Sequence, residues 1–263
     1  MAIARQLPSI AGGAKQEGVV TQMFLGEVVG TAVLVLIGDG VVAGVLLNKS
    51  KSQNGGWIVI TWAWALGVLF GVITSLAVTG GVAQLNPAVT IGLASIDAVE
   101  WGDVPTLIAG QFIGAFIGAI LVYLAYLAHW AETEDPGLKL AVFSTGPAIR
   151  NTVANLITEI IGTFMLVFGI VAIVLTQIIG GSTFGTLPGL AVALLVLGIG
   201  LALGGPTGYA INPARDLGPR IMHAILPIAG KGSSDWAYSW IPVVGPIVGG
   251  VLGALAAKAI FDL

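Results

Sequence analysis

The sequence predicts an all-α membrane protein in which six transmembrane helices and two re-entrant half-helices form an inverted repeat. Three observations carry that prediction. First, hydrophobic residues make up 56% of the 263 residues and charged residues only 9%, with a mean hydropathy of +0.99. Soluble domains carry about 25% charged residues, so lipid is the main solvent of this chain. Second, the tripeptide Asn-Pro-Ala occurs twice, as Asn86-Pro87-Ala88 and Asn212-Pro213-Ala214, each time opening a short apolar stretch. Third, whole segments recur at nearly one spacing. Glu27-Val28-Val29-Gly30-Thr31 returns as Glu159-Ile160-Ile161-Gly162-Thr163, 132 residues on; the two Asn-Pro-Ala copies lie 126 apart; and the stretch from Gln111 resembles the stretch from Pro242, 131 apart.

The elements follow from the alternation of apolar runs and polar breaks. Residues 1–20 mix polar and apolar types without a clear period and read as a cytoplasmic N-terminal tail with no cleavable signal. Apolar runs long enough to span cover about 21–47, 57–79, 105–129, 152–178, 188–204 and 238–260. The half-helices are expected at 86–95 and 212–224. The domain reading is a first repeat over 21–129, a surface connecting loop over 130–150, the longest polar stretch, and a second repeat over 151–263. Glycine is abundant, with 39 residues, and Gly110, Gly114 and Gly118 fall at the small-xxx-small spacing of close helix packing in lipid.

The Asn-Pro-Ala segments read as helix starts. Asn is a good N-cap, and Pro at the first helical position loses no hydrogen bond. Both helices are short. After Asn86 the apolar run meets Asp97 and Glu100; after Asn212, Arg215, Asp216 and Arg220 follow at once. A helix of about 10 residues rises roughly 15 Å, half of a hydrocarbon core of about 30 Å. Each repeat holds three spans, an odd number, so the second copy enters the membrane from the opposite side. Functional sites of such folds lie near the midplane at the repeat interface, and the two half-helices would meet there by their positive N-terminal ends. With cytoplasmic termini, Arg5, Lys15 and Lys258 lie inside while Lys49, Lys51, Lys139, Arg150 and Lys231 lie outside. The positive-inside rule does not support that orientation.

Several residues are candidates for function. Asn86 and Asn212 can cap a helix and also offer amide donors to a solute. Arg215, within an apolar setting, reads as a fixed cation and donor fork at a constriction; the alternative is an Arg snorkelling to the interface. Glu27 and Glu159 sit in spans, where a carboxylate needs partners. Their repeat equivalence favours a structural role, accepting N–H groups of the half-helix loops, over a proton or ion site. Asp39, between Gly38 and Gly40, has no repeat partner and is placed near the outer mouth, without an assigned role. Trp62 and Trp64 are not separable by composition. His129 and His223 show no metal-ligand spacing, and the chain has no cysteine, so no metal, cofactor or thiol chemistry is expected. No nucleophile–base pair lies in the spans, which argues against an enzyme. A net charge of −3 without a basic cluster argues against nucleic acid as a partner.

The two Asn-Pro-Ala copies, the second followed by Arg215, the Glu-x-x-Gly-Thr openings and the inverted repeat together resemble the aquaporin (major intrinsic protein) family over residues 21–260. The resemblance implies one pore per subunit, a homotetramer in the lipid bilayer of the cell membrane, and cytoplasmic termini. Asp216 directly after Arg215 makes the chain similar to the glycerol facilitators, or aquaglyceroporins. Their constriction maps onto Trp64, Gly200, Tyr209 and Arg215, with Trp62 the alternative to Trp64. In that mapping Gly200 supplies room, Trp64 and Tyr209 an apolar wedge, and Arg215 hydroxyl recognition. Tyr209 stands where many bacterial facilitators have Phe, and Gln84 where His is common. The function implied is a passive channel for glycerol and similar small polyols that also passes water and excludes protons and ions. A channel specialised for water, urea or an undissociated weak acid is the nearer alternative, an ion-coupled transporter the more distant one.

Overall fold

A computed structural model describes residues 17–81, 83–180 and 188–263. These form nine helices: α1 (Glu17–Leu46), α2 (Trp57–Thr79), α3 (Pro87–Ala94), α4 (Val104–Ala125), α5 (Pro136–Phe143), α6 (Thr152–Gly180), α7 (Pro188–Leu203), α8 (Pro213–Ile225) and α9 (Ile241–Phe261). Five of them, α1, α2, α4, α6 and α9, are long and apolar enough to cross a membrane. The remaining expected span, 188–204, is α7, whose 16 residues rise about 24 Å. Residues 181–187, which precede it, lie outside the described residues.

Packing repeats between the halves. α1 lies against α2 and α4, and α6 against α7 and α9. Glycine brings the long pairs into backbone contact. A Cβ at Gly114 would stand 2.4 Å from the Val28 carbonyl oxygen on α1, and one at Gly249 would stand 2.3 Å from that of Ile160 on α6. Val28 and Ile160 are 132 apart, matching the Glu27–Glu159 spacing, but Gly114 and Gly249 are 135 apart. The structural equivalence of α4 and α9 is therefore displaced by four residues, one helical turn, from the 131-residue spacing read from sequence. The small residues recur every four positions, so a shift of one turn reproduces nearly the same pattern.

The two short helices dock on the opposite half. α3 packs on α9 as well as α4, and α8 packs on α4 as well as α9. At the α3–α9 contact Gly92 and Gly250 leave no room for a side chain: added Cβ atoms would lie 2.8 Å from the Gly250 oxygen and 2.5 Å from the Ala88 oxygen. Each half thus holds the other's broken helix.

Two sequence expectations are corrected. The tail assigned to residues 1–20 ends earlier, because α1 already runs from Glu17. The segment 130–150 is not simply a surface loop. Asp135 caps α5 by accepting the Gly137 N–H at 2.7 Å, and α5 buries Lys139, Val142 and Phe143. Phe143 stacks on Trp130 at 5.5 Å, and the Lys139 ammonium donates to the Ala229 carbonyl. An eight-residue helix has too few turns to show a period among so many polar neighbours.

Candidate functional site

The site is built from the backbone that leads into α3 and α8. Leu85 and Ile211, each just before an Asn-Pro-Ala copy, are in the left-handed region, with φ of 56° and 44°. That conformation is costly for a side chain with a Cβ, and more so for a β-branched one. It persists because both loops are held from behind. Glu27 accepts the N–H groups of Gln84 at 2.8 Å and Leu85 at 2.7 Å, and the Gln111 amide at 2.8 Å. Glu159 accepts those of Ala210 at 3.0 Å and Ile211 at 2.9 Å, and the Thr207 hydroxyl at 2.7 Å. Three donors on each buried carboxylate account for its place in the interior. The glycine three residues on receives the loop's side chain: a Cβ at Gly30 would meet Leu85 at 2.5 Å, and one at Gly162 would meet Ile211 at 3.1 Å.

The strained turns aim two carbonyls across the repeat interface. The Asn86 amide donates to the Ile211 carbonyl at 2.8 Å, and the Asn212 amide donates to the Leu85 carbonyl at 2.8 Å. Each Asn oxygen caps its own helix, accepting from Ala88 at 2.9 Å, or from Ala214 at 3.0 Å and Arg215 at 3.2 Å. Pro87 and Pro213 occupy the first helical positions. The N-termini of α3 and α8 therefore meet tip to tip. An amide group carries two N–H donors, so each Asn keeps one beyond its bond across the interface.

A cavity of about 370 Å³ runs beside this junction. It is lined by Trp64, Tyr209 and Arg215 on one side of the two Asn residues and by Leu93, Ile96, Val99 and Leu263 on the other. Most of its wall is aliphatic, including Leu34, Val68, Leu166 and Val196, with Asn86, Asn212, Gln84 and Arg215 as the polar exceptions.

Where Trp64, Tyr209 and Arg215 line the cavity, Arg215 is 7% exposed, and its guanidinium lies 3.9 Å from the Trp64 ring centroid. Trp64 is 3% exposed and Trp62 50%, which separates two residues that the sequence left open: Trp64 faces inward and Trp62 outward. Gly200 takes a different place from the one expected of it. It is buried behind Tyr209 and is not part of the cavity wall. A Cβ there would stand 2.9 Å from the Tyr209 ring and 3.0 Å from Thr61. Its missing side chain makes room for the aromatic ring and only through it for a solute. Trp57, which sequence reading passed over as the start of a span, fixes the same ring. Its indole N–H donates to the Gly200 carbonyl at 3.0 Å, and its ring meets Tyr209 edge-on at 5.7 Å.

Asp216 does not face the cavity. Its carboxylate accepts the N–H and hydroxyl of Thr145 at 2.7 and 2.6 Å and the Arg220 guanidinium at 2.9 and 3.0 Å. Arg220 in turn donates to the Thr145 and Ser234 carbonyls. This buried cluster ties the segment after α5 to α8. Asp39, expected near the outer mouth, is fully buried beside Arg215, with 3.7 Å between the charged groups.

Two half-helices inserted from opposite faces, joined at their N-termini beside a cavity inside a bundle of apolar helices, define a class of membrane channel. The chain belongs to the major intrinsic protein family, whose model matches residues 15–257, and within it to the aquaglyceroporins. It is 57% identical over 232 residues to a probable glycerol uptake facilitator protein of Thermotoga maritima, covering 88% of this chain and 96% of that one. It is 54% identical over 238 residues to the glycerol uptake facilitator protein of Bacillus subtilis, covering 90% and 84%. Among solved structures, the aquaglyceroporin from Plasmodium falciparum matches with a TM-score of 0.80 at 32% identity, covering 92% of this chain and 98% of that one.

Proposed function

We propose that the protein is a passive channel for glycerol and other small neutral solutes, which also passes water and excludes protons and ions. The observation that carries this reading is the wall of the cavity. It places a guanidinium fork and two Asn amides along a surface otherwise made of Trp64, Tyr209 and aliphatic side chains. A polyol has hydroxyls on one edge and carbon on the other, and this wall offers partners to both. Solute oxygens would pass from Arg215 to Asn212 and Asn86 while the carbon edge slides on the apolar side. At the junction both Asn residues donate, so a water held there points its hydrogens away in both directions and a proton wire is interrupted. The facing positive ends of α3 and α8 add a barrier to cations.

The names of the relatives support glycerol as the solute, and the carboxylates argue against ion coupling. Glu27 and Glu159 are each committed to three donors, which leaves neither free to carry a proton or a sodium ion through a transport cycle. The same proposal includes a homotetramer in the cell membrane, both termini in the cytoplasm, two repeats over 21–129 and 151–263, and no catalytic step. Stopped-flow light scattering of proteoliposomes tests it. Glycerol flux should exceed that of empty liposomes, rise linearly with the gradient and ignore proton or sodium ionophores. Water flux without glycerol flux would favour a water-specialised channel, and saturating, gradient-coupled uptake would favour a transporter.

A further inference from the structure

We propose that Asp39 is a specificity-determining residue of the constriction, the counter-charge that makes the Arg215 site electrically neutral and holds its guanidinium on the Trp64 ring. The inference rests on the channel reading above. Asp39 is 0% exposed, and neither of its carboxylate oxygens has a hydrogen-bond donor among the described residues. A buried carboxylate without donors is costly, and it is kept only where a nearby charge or a function compensates. The compensating charge is Arg215, 3.7 Å away.

Among the described residues the neighbouring charges leave no other partner. Asp216 follows Arg215 in sequence, but one of its oxygens takes two N–H groups of Arg220 and the other takes both donors of Thr145. Arg215 has one ion pair among the described residues, that with Asp39. The local sequence Gly38-Asp39 then acquires a reason. A Cβ at Gly38 would stand 2.2 Å from the Trp64 ring, so the indole lies flat on the α1 backbone at that point. The other face of that indole carries the guanidinium, 3.9 Å from its centroid. Adjacent residues of α1 thus seat the ring and balance the charge stacked on it. The constriction offers the hydrogen-bond donors of a guanidinium without a net positive charge, which suits uncharged solutes and attracts neither sign of ion.

The test is sign-specific and uses the full-length protein in liposomes, with an iodide-quenched dye for anions and a sodium-sensitive dye for cations. Asp39→Asn, close in shape, leaves Arg215 unbalanced and should raise iodide entry on the order of tenfold or more, with sodium unchanged. Arg215→Gln leaves Asp39 unbalanced and should raise sodium entry and not iodide. The double variant should return both to the wild-type level, as a coupled pair requires. If Asp39→Asn does not fold, the Arg215→Gln and double variants still decide the sign. Both ions rising together in each single variant would mean a widened hole rather than a lost counter-charge, and unchanged ion entry would mean no pairing; either overturns the proposal. Wild-type liposomes measured alongside separate the two levels: passage of glycerol or water upholds the channel reading whatever the ion result, and passage of neither overturns both.

Discussion

Gly200 shows what a single residue contributes. The family resemblance gives it as room in the constriction, and in the structure the Tyr209 ring lies where its side chain would be. Tyr209 is enclosed on three sides: by Gly200, by Gly204, where a Cβ would lie 2.6 Å from the ring, and by Trp57. Its free direction is toward the cavity. Gly200→Ala should therefore push the ring inward, and overpacking of this kind costs about 1–3 kcal/mol. Even about 1 kcal/mol added to the barrier for the widest solute slows it about fivefold. Glycerol flux should fall by that much or more in stopped-flow assays and water flux by less; equal losses would show that the ring does not set the width. Trp64, Tyr209, Arg215 and the two Asn residues, which line one cavity, are all named from the sequence. The order in which they stack is not legible there, because nothing in the chain says that Trp57 reaches Gly200 across 143 positions, or that Asp39 lies beneath Arg215.

The loops before α3 and α8 are the elements on which the site depends, and they are held in equivalent ways. In each, a carboxylate accepts two backbone N–H groups and one side-chain donor. Replacing it with Gln turns one acceptor oxygen into an NH₂ that faces an N–H. An unsatisfied buried donor costs about 1–3 kcal/mol, and here the loss falls on a turn held at positive φ. Glu27→Gln and Glu159→Gln should each lower stability by about that amount, read as a drop in thermal midpoint by tryptophan fluorescence in detergent, and each should reduce glycerol flux. A loss confined to one of them would break the equivalence of the two loops. The sequence disclosed this element well, since Glu-x-x-Gly-Thr recurs intact and both its Glu and its Gly have loop partners. It disclosed the third span of each half poorly. The small-residue period of four hides a one-turn slip, and it is the close contacts of Gly110, Gly114 and Gly118 with α1, and of Gly245, Gly249 and Gly253 with α6, that fix the register.

One cavity is lined by Trp64 and Arg215, by the Asn pair and by residues at the far end of α3. Val99 lies at that far end, and so does Leu263, which lines the same cavity. Lys258 on α9 pairs with Asp97 just beyond α3 at 3.2 Å, which puts the end of α9 on that face. Lys51, between α1 and α2, is exposed and lies past the opposite end of α1. Because the chain has no cysteine, single thiols can be placed without background. In the proposed orientation Val99→Cys should react with a membrane-impermeant thiol reagent only from the cytoplasmic side, and a bulky adduct there should stop glycerol flux. Lys51→Cys should react only from outside and leave flux intact. Reversed sidedness at both would leave the cavity in place and invert the orientation, in line with the positive-inside rule. Labelling of Val99→Cys without loss of flux would instead mean that solute does not travel through this cavity, and the opposed half-helices would then be a structural joint rather than a pore.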